Sequence, residues 1–253
     1  MQLAPCLLLI AALSAAFPAG AILIRADRDD AEYLELATRY ASSVALNTPD
    51  GGEGVLIAPR WILTSAHRAK ALQELKSRPR LRLGEDDPEI QAFFIHPEWK
   101  GGSANDIALL LLRKGTRDVE PTALYRERDE NGKAVAIVGH GHSGKIGAGS
   151  TSWDRKKRAA INTVDRVEAR ALGLRIKPPD DASDLQGAAT PGEGGAPAFV
   201  EVPTGIFVAG VNSRTSGEWE IYARVSSFVP WIEAVMLDVA TKEMNARMDP
   251  DPR

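Results

Sequence analysis

The chain has 253 residues, with 31 lysines and arginines against 34 aspartates and glutamates, and 44% of its residues are hydrophobic. A chain of this length can bury a core as one large β-type unit or as two small domains. The net charge of −3 predicts no long-range attraction to nucleic acid or to an anionic membrane surface.

Residues 1–21 have the pattern of a secretory signal peptide. An apolar run, Cys6–Ala16, is followed by Ala19 and Ala21 at the A-x-A spacing that signal peptidases accept. The run is short for a membrane span, although an uncleaved anchor stays the alternative. We therefore expect cleavage after Ala21, a secreted or periplasmic protein, and no membrane span in the mature chain.

Cys6 is the only cysteine, and it would leave with the signal peptide. The mature chain would then have no disulfide, no cysteine–metal site and no cysteine nucleophile. The sequence predicts no cofactor.

Short apolar runs separated by Gly, Pro, Asn and Asp predict an all-β protein. A short helix is expected between Asp29 and Tyr40. The first set of strands is predicted at Ser43–Asn47, Gly54–Ala58, Trp61–Ser65, Arg80–Leu83, Ile90–Ile95 and Ile107–Leu112. The second set is predicted at Ala134–Gly139, Ala160–Val167, Leu172–Ile176, Ala196–Val200, Gly205–Val211 and Glu220–Val225.

A polar connection, 113–133, separates the two sets of strands. The basic run Arg155–Arg158 is expected on a solvated loop. A C-terminal helix over about 227–243, with Ser227 as its N-cap, is predicted from one apolar stripe. The stripe consists of Phe228, Trp231, Ile232, Val235, Met236 and Val239. Residues 244–253 are expected to form a tail.

Three segments point to chemistry by their order along the chain. They are "TSAH" at 64–67, "DIALL" at 106–110 and "GEGGAP" at 192–197. Each is weak alone, since a single histidine at a strand end is more often a packed or solvated residue than a base.

Together the three segments resemble the trypsin/chymotrypsin-like serine protease family, which has T-A-A-H, D-I-A-L-L and G-D-S-G-G-P segments in this order. The resemblance extends to "EIYARVSSFVPWI" near the C-terminus. It implies two six-stranded antiparallel barrels with a C-terminal helix, the first over about 22–120 and the second over about 121–226. The site would lie between the barrels, with His67 as the base and Asp106 as its partner.

The resemblance places Gly194 at the position of the nucleophilic serine. No serine or threonine lies between Pro191 and Pro203, so no shift of the alignment restores a hydroxyl there. Thr190 and Ser213 are not expected to face His67. The backbone N–H groups of Gly192 and Gly194 would form the oxyanion-binding site.

Two further positions depart from the family pattern. Glu193 stands where the family has an aspartate that pairs with the new N-terminal ammonium, and cleavage after Ala21 would make Ile22 that terminus. Ala188 stands at the base of the specificity pocket, so a small or apolar guest is expected over Lys or Arg.

Three histidines outside these segments invite other interpretations. His140 and His142 are two residues apart on a predicted strand and point the same way, but no third metal ligand is placed by the sequence. No metal site is therefore predicted. His96 is interpreted as a structural residue at the end of a strand.

The leading hypothesis is an exported trypsin-like fold without peptidase activity that binds a peptide or protein in the old cleft. A weak hydrolase, with His67 and Asp106 activating water, is the alternative from another class. A third possibility is an ordinary serine endopeptidase in which Gly194 is not the native residue. No nucleic-acid partner is expected, and the oligomeric state is left open.

Overall fold

The computed structural model describes residues 22–48, 51–75, 80–84, 87–148, 151–190, 192–216 and 218–248. The predicted signal peptide and the cleavage site lie outside the described residues. None of the helices in this part of the chain has an apolar run long enough to cross a lipid bilayer.

The strands of the N-terminal half are short. They are β1 (Leu23–Ile24), β2 (Ser43–Asn47), β3 (Glu53–Ala58), β4 (Trp61–Thr64), β5 (Arg80–Arg82), β6 (Ile90–Ile95), β7 (Ala108–Leu112) and β8 (Ala123–Leu124). Six of them form one antiparallel sheet in the order β5-β2-β3-β4-β7-β6. Among the described residues β5 and β6 do not pair, so this sheet is a half-open barrel.

The strands of the C-terminal half are longer. They are β9 (Ala134–Lys145), β10 (Thr151–Val167), β11 (Ala171–Arg175), β12 (Gly187–Ala188), β13 (Pro197–Val202), β14 (Gly205–Ser216) and β15 (Trp219–Arg224). The order β10-β11-β15-β14-β13-β9 is closed by pairing of β9 with β10. The predicted all-β architecture is therefore confirmed, with one six-stranded barrel closed and the other open.

Three helices accompany the sheets: α1 (Asp30–Ala37), α2 (Ala66–Glu74) and α3 (Val225–Met248). Helix α1 begins with a capping box, in which Asp29 Oδ1 accepts from the Ala31 N–H and Glu32 Oε1 accepts from the Asp29 N–H. The predicted short helix is confirmed.

Several predicted boundaries are wrong. The N-terminal segment belongs to the second barrel, since β1 pairs with β9 and β12 and α1 packs on β10, so the first barrel begins near Ser43. Helix α3 begins before Ser227, whose hydroxyl donates to the Ala169 carbonyl instead of capping the helix. The same helix continues to Met248, through half of the predicted tail.

The basic run is also placed differently, because it lies within β10. The Arg158 side chain is 2% exposed and binds Asp30 of α1 and Asp154 of its own strand. Lys157 donates to the Tyr40 carbonyl. Half of the run is therefore structural and attaches α1 to the second barrel.

The largest core lies between the two sheets and under α3. It joins residues of β4 and β7, of β9 and β13, and of the first turns of α3, among them Leu63, Leu109, Val138, Phe199 and Phe228. Because both barrels contribute to one core, the loops at their junction are held in a fixed relation.

Candidate active site

His67 and Asp106 meet at the junction of the two sheets. Their strands, β4 and β7, pair antiparallel with Thr64 opposite Ala108, so the residue three positions after Thr64 and the residue two before Ala108 lie at the same end. His67 is the second residue of α2, which corrects the strand-turn-strand expected at this point. The helix follows from a run of good helix formers after Ser65.

The Asp106 carboxylate is 1% exposed and accepts three hydrogen bonds. Oδ1 accepts from the His67 backbone N–H at 2.9 Å, while Oδ2 lies 2.7 Å from His67 Nδ1 and accepts from the Ser213 hydroxyl at 2.6 Å. A carboxylate partner assigns the imidazole proton to Nδ1, which leaves Nε2 as the basic nitrogen. This is the orientation that a general base requires.

Gly194 faces the His67 ring. A Cβ built on Gly194 would overlap His67 Nε2 and would lie 2.6 Å from His67 Cε1 and 2.8 Å from Arg68 Nε. Real Cβ atoms do not approach other heavy atoms so closely, so the ring and Arg68 occupy the space that a side chain at 194 would need. No motif in the sequence indicates these contacts.

The loop around Gly194 is fixed by backbone hydrogen bonds to both barrels. The Glu53 N–H donates to the Gly194 carbonyl at 2.9 Å, and the Gly195 N–H donates to the Asn212 carbonyl at 2.7 Å. Gly192 has a φ of 109°, a conformation that favours glycine. The N–H groups of Gly192 and Gly194 donate to no acceptor in the part of the chain described, which leaves them for a ligand.

Comparison with known proteins identifies the family. The Trypsin family profile matches residues 35–232, most of the chain. The chain belongs to the trypsin family.

Sequence identity to individual relatives is low. The chain is 25% identical over 216 residues to an inactive CLIP domain-containing serine protease A3 of Aedes aegypti, which covers 73% of this chain and 46% of the relative. It is 26% identical to vitamin K-dependent protein C of Rattus norvegicus, over 72% of this chain and 45% of that protein. It is 29% identical to serine protease SP24D of Anopheles gambiae, over 72% and 71%. The chain thus spans about half the length of the first two relatives.

The fold is shared with solved structures of the family. Neuropsin, a serine protease expressed in the limbic system of mouse brain, superposes with a TM-score of 0.62 at 18% identity, over 78% of this chain and 95% of that one. At this identity the similarity concerns the fold alone.

An acidic group lies at the expected base of the specificity pocket of this trypsin-family chain, although Ala188 is not acidic. The next residue, Ala189, donates its N–H to Glu220 Oε1 at 2.7 Å, and Tyr222 donates its hydroxyl to Oε2 at 3.2 Å. Glu220 is 2% exposed and comes from β15, 31 residues away from Ala189. Reasoning from Ala188 alone missed it, because the register of two strands that are distant in sequence brings it there.

Glu193 is buried, and only one of its two carboxyl oxygens has a hydrogen-bond partner among the described residues. Its Oε2 accepts from the Thr190 N–H at 2.8 Å, whereas Oε1 has no hydrogen-bond partner among the described residues. Gly139 leaves room for the long side chain, since a Cβ there would lie 2.8 Å from Glu193 Cδ. Burial raises the pKa of Glu193 well above its usual value, and the nearby Glu53 carboxylate raises it further.

Ile22 is 1% exposed and lies beside Gly187, where a Cβ would come within 2.9 Å of Ile22 Cγ2. The structure records no hydrogen bond between Ile22 and Glu193 in the residues it describes. With residues 1–21 attached, the Ile22 nitrogen is an amide and carries no charge for an ion pair.

His140 forms two contacts with a second buried carboxylate, that of Glu53. Glu53 Oε1 accepts from the His140 N–H at 2.8 Å, and Oε2 lies 2.9 Å from His140 Nδ1. Among the described residues no group of three ligand side chains could hold a metal ion, and the His142 side chain lies outside them. His96 packs its ring on Phe228 and Trp231.

A groove of about 520 Å³ begins next to the His67–Asp106 pair. We call it the cleft groove and define it by Asn105, Arg166, Arg170, Arg214 and Trp219. Asn105 directly precedes Asp106, and Arg214 directly follows Ser213, so the groove lies close to the His67–Asp106 pair. Arg170 binds Asn105 Oδ1 at 2.6 Å, whereas Arg214 is exposed and forms no ion pair with the described residues.

The buried carboxyl groups predict that stability falls as the pH rises. Burial raises the pKa of Glu220 from 4.5 to about 8. The folded chain therefore keeps a proton that the unfolded chain releases, and the free energy of unfolding decreases between about pH 4.5 and pH 8, by up to about 1.4 kcal/mol per pH unit for this group. We expect urea unfolding to give a lower free energy at pH 8 than at pH 5.

Glu220→Gln, which is neutral at every pH, should flatten that dependence. Glu218→Gln, an exposed change on the same side of the chain, should leave it unaltered. Parallel pH profiles for the wild type and Glu220→Gln would contradict the assignment.

Proposed function

We propose that this chain is an exported, non-proteolytic member of the trypsin family that binds a peptide or protein segment in the cleft between its barrels. The observation that carries the proposal is Gly194, which faces His67 Nε2 without a side chain, at a position where an added Cβ would require the His67 ring and Arg68 to move. The pattern of residues 1–21 supports export.

The chemistry explains why this one position decides. Acyl transfer needs a hydroxyl that the imidazole can deprotonate, and no residue that the structure describes places such a hydroxyl opposite His67. Ser213 donates to Asp106 on the far side of the pair and is not available as a nucleophile. In an unrelated protease with the same three-residue unit, loss of the serine alone costs roughly 10⁶ in turnover. At that level peptide hydrolysis ceases to be the biological role.

The neighbouring residues of the loop support glycine as the native residue. Glu193 and Ala196 depart from the family loop as well, which fits gradual divergence better than a single replacement.

A weak hydrolase is the second candidate, and two observations favour it. His67 keeps the orientation of a base, and the N–H groups of Gly192 and Gly194 have no acceptor among the described residues. Water deprotonated by His67 could attack an activated ester bound there.

Labelling and activity assays on the wild type, Gly194→Ser and His67→Ala separate these alternatives. We expect neither the wild type nor Gly194→Ser to be labelled by a fluorophosphonate probe, because the new Cβ collides with His67 Cε1. Gly194→Ser and Gly194→Ala should each lower the free energy of unfolding by about 1–3 kcal/mol, since both add the same Cβ to a packed site.

Labelling of the wild type would overturn the proposal. Ester hydrolysis by the wild type that disappears in His67→Ala would favour the weak hydrolase. Peptidase activity in Gly194→Ser would show that the site lacks only its nucleophile. It would contradict the expectation that a side chain at 194 collides with the His67 ring.

The ligand class follows from the cleft groove. Arg166, Arg170, Arg214, Trp219 and Glu168 line it, and Arg166 and Arg170 are paired with Glu168 and Glu98. The groove therefore suits an extended segment with an acidic side chain for Arg214 and an aromatic side chain. Arg214 is the cation there without an ion-pair partner among the described residues, which makes it the first contact for a ligand carboxylate.

Peptides selected on the wild-type protein from a random display library should be enriched in Asp and Glu. Arg214→Glu should weaken their binding at least about tenfold, because a like charge then faces the ligand. Arg128→Glu, which changes an exposed arginine outside the groove, is the matched control. Equal binding to both variants, measured by fluorescence anisotropy, would remove the cleft groove as the site.

Glu193 supplies a test of processing. Cleavage after Ala21 would create an ammonium at Ile22, and Glu193 Oε1 has no other hydrogen-bond partner among the described residues. We expect protein that begins at Ile22 to be more stable than protein that retains Ala21, by about 1–3 kcal/mol, since the ammonium would satisfy a buried carboxyl oxygen that otherwise has no hydrogen-bond partner among the described residues.

Glu193→Gln should abolish that difference, because the ammonium then has no carboxylate to pair with. Equal melting temperatures for the two termini in the wild-type background would show that Ile22 and Glu193 do not pair.

A further inference from the structure

A second groove, of about 860 Å³, lies on another part of the surface. Three segments form it: the β3–β4 turn, the chain after β7, and the last turns of α3. We call it the basic groove and define it by Arg60, Arg113, Lys114, Arg117 and Arg247. Pro59, Gly115, Thr116, Glu243 and Ala246 complete its lining.

The basic groove is separate from the candidate active site. Arg60 precedes β4 and Arg113 follows β7, whereas His67 follows β4 and Asp106 precedes β7. The two sites therefore lie at opposite ends of one strand pair, about 15 Å apart for five residues of antiparallel strand. A ligand in the basic groove does not touch the His67 ring.

The floor of this groove is rigid. Arg60 donates to the Leu112 carbonyl at 3.0 Å and to both carboxylate oxygens of Glu243 at 3.0 and 2.9 Å, which fixes the end of α3 against the first barrel. The Thr116 N–H donates to the Pro59 carbonyl at 2.8 Å. The groove is thus formed before any ligand arrives.

Its charge is strongly positive. Arg60 is neutralised by Glu243, and Arg113 by Glu89. Lys114, Arg117 and Arg247 are exposed and form no ion pair with the described residues. A groove of this volume is roughly 10 Å across, close to a Debye length at physiological salt, so the three charges act on a ligand together.

We propose that the basic groove binds a short segment of a flexible polyanion that carries sulfate or phosphate groups. Guanidinium groups donate paired hydrogen bonds to such oxyanions, and three cations within about 10 Å require a ligand of high charge density. The chain as a whole has a net charge of −3, so the rest of the chain carries a net negative charge that disfavours a long rigid polyanion such as duplex DNA. This inference does not depend on the proposed function of the cleft.

The test measures binding of two labelled probes, a short heparin oligosaccharide and a short inorganic polyphosphate, by fluorescence anisotropy at several salt concentrations. We expect binding with a slope of log K against log salt of about −2 to −3, since each neutralised anion contributes roughly −0.7 to −0.9. The combined variant Lys114→Gln, Arg117→Gln and Arg247→Gln should bind at least about tenfold more weakly at low salt, with a slope near zero.

The matched control removes the same charge elsewhere, by Lys70→Gln, Lys100→Gln and Arg128→Gln, and should bind like the wild type. Binding of heparin alone identifies a sulfated glycan, and binding of polyphosphate alone identifies a phosphate polymer; either supports the proposal. An equal loss in both variants, or no loss in the groove variant, would overturn it. Tighter binding of polyglutamate or of duplex DNA than of both probes would also overturn it.

Discussion

The arrangement of the candidate site depends on one buried carboxylate. Asp106 accepts hydrogen bonds from the backbone and the ring of His67 and from the hydroxyl of Ser213. His67 lies in α2, directly after β4 of the first barrel, and Ser213 lies in β14 of the second. A charge that is costly to bury unless it is satisfied therefore constrains how the two barrels meet. The His–Asp pair thus has a structural role that does not depend on catalysis.

The loop that faces His67 is held by hydrogen bonds and packing contacts with both barrels. The Glu53 N–H holds the Gly194 carbonyl, and the Glu53 side chain crosses to His140 of the second barrel. Glu193, beside Gly194, fills the room left by Gly139. The His67 ring lies against Gly194, where its contacts replace those that a side chain at 194 would make.

Elements set by local sequence patterns were predicted better than features that depend on contacts between residues distant in sequence. Strands such as Ile90–Ile95 were predicted at their observed bounds because their apolar residues and their flanking turn residues are local signals. Helix α2 was missed because nine residues give a weak period. Glu53, Arg158 and Glu220 were missed because their partners lie 87, 128 and 31 residues away, and only register and barrel closure bring them together. The crowding at Gly194 depends on side-chain placement, which no motif encodes.

Polar contacts take the place of covalent cross-links in this fold. A chain with a single cysteine cannot close an internal disulfide, so its barrels and its N-terminal helix must be connected by packing and by buried polar contacts. Glu53 with His140 joins the two barrels, and Arg158 with Asp30 attaches α1. Such contacts differ from a disulfide in one respect that matters for this protein. Their strength depends on protonation, and burial raises the pKa of Glu53. One of the contacts that join the two barrels therefore contains a carboxyl group that loses its proton at a higher pH than an exposed glutamate does.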